Sequence, residues 1–356
     1  MSEEVVNNIV KSEEENVPKN SLGENKLKDS LIKALKLLIG LIMLVVVIHS
    51  TKLDSPQQIK KVLLADPSRL LTALFFVIIA QFLGIKRWQI LAQSLKIQAS
   101  FLHVTKLHFL GLFCNNLLTT MGGDVVKALY LTNKEQKYES LLSVMIDRYV
   151  GLLVILFVAS IAAFSLPSDT FHQNLAYTTW VILLALIVGG ATSLLFSEIV
   201  ARTLERFRGL LEKYKKEHWP GKIRELSVLT KAFLKNYYVF GSSLLLSVLS
   251  QGFAILAVHQ LSLGVGARID ASTMFVVVPI VLLISVIPIS PGGLGTREAA
   301  FTYLLTNAYI TFGIEADFAK SAAALVAILW LALNLLISLP GAISYYSMIN
   351  NRHYQK

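Results

Sequence analysis

The sequence has few charged residues and a single cysteine. Charged residues make up 16% of its 356 residues, against about 25% in an average soluble protein, whereas hydrophobic residues make up 54%. A soluble chain of this length would need more polar side chains to cover its core. A lone Cys114 excludes an internal disulfide and a cysteine metal cluster. Because the seven histidines also lack ligand spacing, we expect no metal site.

The common catalytic motifs are also missing from the sequence. It contains no Gly-x-Ser-x-Gly, no His-Glu-x-x-His and no phosphate-binding Gly-x-x-x-x-Gly-Lys-Ser/Thr loop. We therefore predict neither an enzyme nor a bound cofactor. The net charge of +10 is placed beside apolar blocks, which indicates contact with anionic lipid headgroups and not with nucleic acid.

Long apolar blocks dominate what is present. Each is long enough to cross a hydrocarbon core of about 30 Å as a helix. We therefore predict an all-α, polytopic integral membrane protein, with a disordered polar tail over 1–30 and one transmembrane domain over 31–350. About six full spans are expected, in a helical bundle. The blocks are 32–49, 69–85, 141–164, 177–196, 236–261 and 319–345.

The distribution of Lys and Arg predicts the orientation. Basic residues concentrate in 86–106 and 202–235, whereas 165–177 and 262–272 together contain only Arg268. The positive-inside rule places the basic segments, and with them both termini, in the cytoplasm. The stretch 197–235 is therefore expected to be a basic cytoplasmic loop with an amphipathic helix on the membrane surface. A connecting helix that is merely solvated is the alternative.

Two further apolar segments are interrupted. Residues 101–131 contain Asn115-Asn116 and Gly122-Gly123-Asp124, and residues 271–311 contain Pro288 and Pro291-Gly292-Gly293-Leu294-Gly295. The orientation is consistent only if both segments enter the membrane and return as re-entrant hairpins, from opposite faces. Each hairpin then lies between two spans, which is the layout of an inverted-repeat transporter. Plain helices with surface turns, giving eight or more crossings, are the alternative.

Six charged residues lie in or beside apolar segments: Asp124, Lys127, Asp147, Arg148, Arg297 and Glu298. Each would cost about 2.5–3.5 kcal/mol near the bilayer centre, so they need partners or a polar cavity. Adjacent residues on a helix point to different faces, so we expect Asp147-Arg148 and Arg297-Glu298 each to bond elsewhere. Arg148 and Arg297 are candidates for gripping a phosphate, with Lys127 as a point charge. The alternative is ion pairing that only locks helices together.

The glycines of the two interrupted segments also indicate an anion-binding site. Gly122, Gly123, Gly292, Gly293 and Gly295 allow sharp turns and close approach of backbone amides to a ligand. If helices restart at Val125 and Thr296, their N-termini attract an anion. The alternative is that these glycines only allow the chain to turn. Together with the six charged residues and with Asn115 and Asn116, the glycines complete the candidate substrate-binding set.

Three ordered motifs resemble a known family. They are Phe113-Cys114-Asn115-Asn116-Leu117-Leu118-Thr119-Thr120-Met121-Gly122-Gly123-Asp124-Val125-Val126-Lys127, Asp147-Arg148-Tyr149-Val150-Gly151-Leu152 and Pro288-Ile289-Ser290-Pro291-Gly292-Gly293-Leu294-Gly295-Thr296-Arg297-Glu298. They are similar to those of the flippase-like transmembrane domain of lysylphosphatidylglycerol synthases and stand-alone relatives. The resemblance covers about residues 30–350. It implies re-entrant hairpins at the first and third motifs.

The resemblance further implies a prokaryotic cytoplasmic-membrane protein that moves phospholipids or lipid-linked intermediates between leaflets. The aminoacyl-transferase domain of the bifunctional members is expected to be absent. A non-transporting subunit that presents lipid to a partner glycosyltransferase or lipid synthase is one alternative. A transporter of small soluble anions is another. The lipid, the energy source and the oligomeric state do not follow from these residues.

Overall fold

A computed structural model describes residues 66–117, 122–132, 136–165, 173–174, 176–190, 219–286, 290 and 293–353. The predicted tail 1–30 and the first apolar block, 32–49, lie outside these residues, as does 197–218 of the basic stretch. Within the described residues the chain is helical and contains no strand. This confirms the predicted all-α fold class.

Four helices are long and apolar enough to cross a membrane. They are α1 (Pro67–Ser94), α4 (Lys137–Ala162), α7 (Tyr237–Gly264) and α10 (Ala316–His353, apolar to Ser344). They agree with four of the six predicted spans. A shorter apolar helix, α5 (Ala176–Gly190), covers the start of the predicted span 177–196. Helix α6 (Trp219–Lys235) lies at the end of the basic stretch.

Both interrupted segments are pairs of helices. The first consists of α2 (Phe101–Leu117) and α3 (Gly122–Leu131), and the second of α8 (Ala271–Val286) and α9 (Thr296–Thr311). The predicted restart at Thr296 is confirmed. The predicted restart at Val125 is wrong, because α3 begins three residues earlier, at Gly122. Gly122 and Gly123 therefore form the first turn of the helix and not the turn that precedes it.

Helices α1 and α7 share a local design at a separation of 170 residues. Each has 28 residues and begins at a polar N-cap, Asp66 or Asn236, whose side chain accepts a backbone N–H three residues later. Each ends in a left-handed residue, Lys96 with φ 64° and Gly266 with φ 86°. The N–H of the left-handed residue bonds back to the carbonyl three residues earlier, and the next N–H to the carbonyl five residues earlier. This is the Schellman helix ending.

The correspondence extends into the following loop. The Gln89 side chain donates to the Ala99 carbonyl at 3.1 Å, and the His259 ring lies 3.1 Å from the Ile269 carbonyl. Helices α2 and α8 then begin at positions 101 and 271. The two segments therefore share the helix length, the type of N-cap and C-cap, and a side-chain contact to the following loop.

Helices α1 and α7 pack against each other in opposite directions. Near the start of α1, Arg69 donates to the Gln260 side chain at 2.8 Å. Further along, Ser250 donates to the Ala80 carbonyl at 2.9 Å. Residue numbers rise on one helix as they fall on the other, so the pair is antiparallel.

Helices α2 and α3 touch through their backbones. A Cβ added to Gly123 would overlap the Gly111 carbonyl oxygen and lie 2.8 Å from the Asn115 backbone nitrogen. We expect Gly123→Ala to destabilise the protein by about 1–3 kcal/mol through overpacking. Thermal unfolding in detergent micelles measures this. Gly252→Ala is the matched control, because a Cβ there meets no atom within 4 Å. Equal melting temperatures for the two variants would contradict the contact.

Candidate anion site

Asp124 is the centre of the first charged cluster. It lies in the first turn of α3, where the helix dipole stabilises a carboxylate. Its Oδ1 is 3.0 Å from Lys127 Nζ, and its Oδ2 is 2.6 Å from Arg148 Nε. Arg148 Nη2 also donates to Oδ1 at 2.7 Å, so the arginine binds the carboxylate with two groups. One buried carboxylate thus binds two cations from α3 and α4.

Lys127 is held on three sides. Its ammonium lies 4.7 Å from the centre of the Trp88 ring on α1, within range of a cation–π interaction. Its side chain packs over Gly111, where an added Cβ would lie 3.2 Å from Lys127 Cδ. The third contact is Asp124. The Lys127 side chain is only 4% exposed, so this cation is part of the wall of the site.

Arg87 and Asp147 form a second buried ion pair in the same cluster. Arg87 Nε on α1 donates to Asp147 Oδ1 on α4 at 2.7 Å, and Arg87 Nη1 donates to Ser247 Oγ on α7 at 2.8 Å. The bridge therefore connects the three helices α1, α4 and α7. Both ionic side chains are less than a tenth exposed.

Arg87 is a functional candidate that the sequence reading missed. The basic residues from 86 onward predicted a cytoplasmic segment that included Arg87, but α1 continues to Ser94 and buries Arg87 within the bundle. A signal was present: Asp147 lies in an apolar block and needed a cation as partner, and the pair Lys86-Arg87 lies between the apolar residues Ile85 and Trp88. For Asp147 and Arg148, the prediction that neighbours bond to different partners is confirmed.

Among the residues that the structure describes, the first cluster carries one positive charge in excess. Its cations are Arg87, Lys127 and Arg148, and its carboxylates are Asp124 and Asp147. Arg148 differs from the others in exposure, since 52% of its side chain is accessible while Asp124 is 9% exposed. The accessible part of the Arg148 side chain therefore presents the excess positive charge at the surface of the bundle.

The second cluster consists of Arg297 and Glu298, has no net charge and is buried. Arg297 Nε and Nη2 donate to Glu298 Oε1 at 3.0 and 2.8 Å, and Glu298 is fully buried. The prediction that these neighbours bond elsewhere is wrong for this pair. Glu298 is in the first turn of α9, and its Oε2 accepts the Gly295 N–H at 2.6 Å. The carboxylate thus occupies the helix N-terminus and brings the neighbouring guanidinium towards it.

The glycines around α9 serve the backbone. Gly293 and Gly295 have φ of 72° and 78°, the left-handed region that side chains rarely adopt. The Thr296 hydroxyl donates to the Gly293 carbonyl at 2.9 Å and so closes the turn. Gly292 lies outside the described residues. The turn directs the N-terminus of α9 into the protein, where Glu298 caps it.

Asn115 and Asn116 connect elements of the bundle. The Asn115 side chain accepts the Gly123 N–H at 2.8 Å and ties the two helices of the first hairpin together. The Asn116 amide donates to Ser338 Oγ on α10 at 3.0 Å. In this arrangement both side chains position the broken segment, with one amide hydrogen bond each.

The structure brings together five charged residues at the first hairpin, whereas Arg297 and Glu298 pair with each other. In the described part of the chain, no ion pair joins the two clusters. A single phosphate gripped by Arg148 and Arg297 together stays a prediction.

Comparison with known proteins identifies the family. Residues 33–341 match the family described as the lysylphosphatidylglycerol synthase TM region. The chain is 22% identical over 307 residues to the UPF0104 membrane protein PH1989 of Pyrococcus horikoshii, covering 81% of this chain and 90% of that protein. It is 23% identical over 251 residues to the UPF0104 membrane protein MJ1595 of Methanocaldococcus jannaschii, covering 67% of this chain and 75% of that one. The chain is a multi-pass membrane protein that belongs to the family of the lysylphosphatidylglycerol synthase transmembrane region.

Proposed function

We propose that this protein moves a lipid with an anionic phosphate headgroup between the leaflets of a membrane. The observation that carries the proposal is the excess positive charge around Asp124, together with the half-exposed Arg148. A cluster that served only to lock helices would be complete with paired charges, whereas this one has an additional cation that is accessible from outside the protein. The family supports a lipid-related role in the membrane.

Arg148 is the residue we assign to the phosphate. Its guanidinium is planar, and its five N–H donors match the oxygens of a phosphate. Two of its groups bind Asp124, and the carboxylate retains Lys127 when Arg148 turns to the headgroup. Lys127 therefore continues to compensate the negative charge of Asp124 while Arg148 exchanges the carboxylate for the phosphate. Arg297 would join only in a conformation in which Glu298 releases it.

An apolar cavity favours a lipid over a soluble anion. It has a volume of about 390 Å³ and lies between α1, α2 and α10, with Leu74, Phe82, Phe109 and Pro340 in its walls. Its one amide side chain, Gln81, bonds to His108 on α2. Between membrane-spanning helices such a groove is open to hydrocarbon, so we assign it to an acyl chain.

Helix contacts support an inverted repeat in which α1–α4 correspond to α7–α10. The contacts α1–α2, α2–α3 and α3–α4 have counterparts in α7–α8, α8–α9 and α9–α10, and the contact of α2 with α10 has its counterpart in that of α8 with α4. Because α1 and α7 are antiparallel, this relation would invert the second unit. The two broken segments would then enter from opposite faces, the first from the cytoplasm with both termini on that side. Motion of one unit against the other would alternate access.

Transport by purified protein tests the proposal. The protein is reconstituted into liposomes that contain fluorescent tail-labelled phosphatidylglycerol, and dithionite reports the labelled lipid that reaches the outer leaflet. We expect faster movement than in empty liposomes. Arg148→Ala should slow it by about 10–100-fold, because a charge-assisted hydrogen bond contributes about 1.5–3 kcal/mol. Arg148→Lys should be intermediate, since it keeps the charge and loses the fork.

The matched control is Arg268→Ala, which removes an exposed arginine from the loop between α7 and α8. It should move lipid at the wild-type rate. Equal rates for Arg148→Ala and wild type would reject the role of Arg148. No movement at all by the purified protein, with co-purification of a glycosyltransferase or lipid synthase, would instead favour a subunit that presents lipid to that enzyme.

A further inference from the structure

Three nitrogen atoms converge on the space beside Gly151 on α4. A Cβ added to this glycine would have Arg87 Nη1 at 3.5 Å, Arg87 Nη2 at 3.6 Å and the Gln251 amide nitrogen at 3.7 Å as its nearest neighbours. All three nitrogens are hydrogen-bond donors, and none of them accepts. The helices α1, α4 and α7 therefore meet around a space that is lined by donors, and the missing side chain of Gly151 keeps it free.

The Arg87 guanidinium has more donors than the protein uses. It carries five N–H groups. Among the described residues its acceptors are Asp147, bonded to Nε at 2.7 Å, and Ser247, bonded to Nη1 at 2.8 Å. The side chain is 9% exposed, so bulk water has little access to the remaining N–H groups. Gln251 is half-buried beside them, and together they can donate to a ligand that enters the bundle.

The space beside Gly151 is one helical turn from the half-exposed arginine. Gly151 follows Asp147 by four residues and Arg148 by three, and residues at these spacings are neighbours on a helix surface. Asp147 binds the Nε edge of Arg87 and leaves its Nη groups towards Gly151. The nearest carboxylate is thus already paired, and the excess positive charge of the cluster acts on any anion that enters this space.

The chemistry of the lining favours a phosphate oxygen. Such an oxygen only accepts hydrogen bonds, whereas a hydroxyl or an amide would need an acceptor for its own hydrogen. The Nη groups of a guanidinium can bind two oxygens of one phosphate. Gly151 and Gln251 also lie near the middle of α4 and α7. In transporters built from inverted repeats, the substrate site lies near the bilayer midplane.

We propose that Arg87 and Gln251 form a second phosphate-binding position, one helical turn along α4 from Arg148, through which the lipid headgroup passes as it crosses the membrane. This inference rests on the proposed function. Arg148 receives the headgroup at the surface of the bundle, and the Nη groups of Arg87 with the Gln251 amide then bind it in the interior. Asp147 keeps the guanidinium in place, and Gly151 provides the room for the phosphate.

Gly151→Ala fills this position without disturbing the fold. Its Cβ would lie 3.5 Å or more from its neighbours, an ordinary van der Waals distance, so the melting temperature should equal that of wild type. Movement of tail-labelled phosphatidylglycerol in the dithionite assay should slow by about tenfold, as for the loss of one hydrogen bond to a charged group. Gly252→Ala, whose Cβ meets no atom within 4 Å, should change neither. A wild-type rate in folded Gly151→Ala would overturn the proposal.

Two substitutions of Gln251 separate phosphate binding from a structural role. Gln251→Leu removes the amide and should slow lipid movement by about tenfold, whereas Gln251→Glu places a carboxylate that competes with phosphate for Arg87 and should slow it by about 100-fold. Gln260→Glu makes the same change on α7 beside Arg69, whose bond to Gln260 is 2.8 Å long, and should move lipid at the wild-type rate. If Gln251 only supported Arg87, the new ion pair would preserve transport. Faster movement by Gln251→Glu than by Gln251→Leu would therefore overturn the proposal.

Failure of this site differs from failure of the proposed function. No lipid movement by wild type would reject both, whereas movement that the Gly151 and Gln251 variants leave unchanged would overturn the second position alone. If Gly151→Ala does not fold, the two Gln251 variants decide. Radiolabelled inorganic phosphate identifies the source of the anion, and we expect none to enter the liposomes through wild type. Entry that Gln251→Glu abolishes while lipid movement persists would overturn the assignment to a headgroup.

Discussion

Asp147→Asn is expected to lower the free energy of unfolding by about 3–5 kcal/mol, the cost of removing one partner from a buried ion pair. The substitution keeps the shape of the side chain and removes the charge that compensates Arg87. Arg87 would remain in the interior with Ser247 as its hydrogen-bond partner and no compensating anion of its own. Unfolding by sodium dodecyl sulfate in mixed micelles, followed by circular dichroism, measures the change.

Two controls separate the ion pair from other effects of the mutation. Asp66→Asn removes the carboxylate of the Arg69–Asp66 pair, whose side chains are 42% and 43% exposed, and should change stability little. The double variant Arg87→Met with Asp147→Leu should be more stable than Asp147→Asn, because no unpaired charge remains. Wild-type stability in Asp147→Asn would show that Arg87 finds its compensation elsewhere.

Glu298→Gln is the second substitution with a large expected effect. Glu298 is fully buried and satisfies both the Arg297 guanidinium and the Gly295 N–H. Glutamine keeps one acceptor oxygen, but it cannot neutralise Arg297 and presents an amide N–H₂ to one of the two donors. We expect a loss of about 3–5 kcal/mol in unfolding free energy, measured in the same mixed micelles.

The exposed Glu315 supplies the matched control, since it lies in the loop between α9 and α10. Glu315→Gln should unfold as wild type does. Stabilisation of Glu298→Gln by added dihexanoylphosphatidylglycerol, beyond that of wild type, would indicate that a phosphate replaces the missing carboxylate beside Arg297. Unchanged stability without lipid would contradict the structural role of Glu298.

The broken segments were predictable in kind but not in every boundary. Glycine and proline mark where an apolar run stops being one helix, so 101–131 and 271–311 each divide into two helices as expected. The start of α3 at Gly122 was not predicted, because glycine is a poor helix former. Gly123 is tolerated there because only a residue without a Cβ lets α3 approach the Gly111 carbonyl.

The charged residues of the site were predictable as candidates, whereas their partners were not. Asp124, Lys127, Asp147 and Arg148 stand out in apolar surroundings, since isolated charges in a bilayer are costly. Arg87 did not stand out, because it lies next to Lys86 near the end of an apolar block and so resembled a loop residue. Its partner is 60 residues away in the chain.

By itself the sequence determined that this is a helical membrane protein of a particular family, with two interrupted segments and charges beside them. These properties depend on local composition, because the bilayer requires long apolar helices and glycine allows their interruption. Only the tertiary structure decided that Asp124 binds two cations, that Arg87 pairs with Asp147 and that Glu298 closes over Arg297. Which charges pair depends on which helix faces meet, and that is set by the packing of the whole bundle.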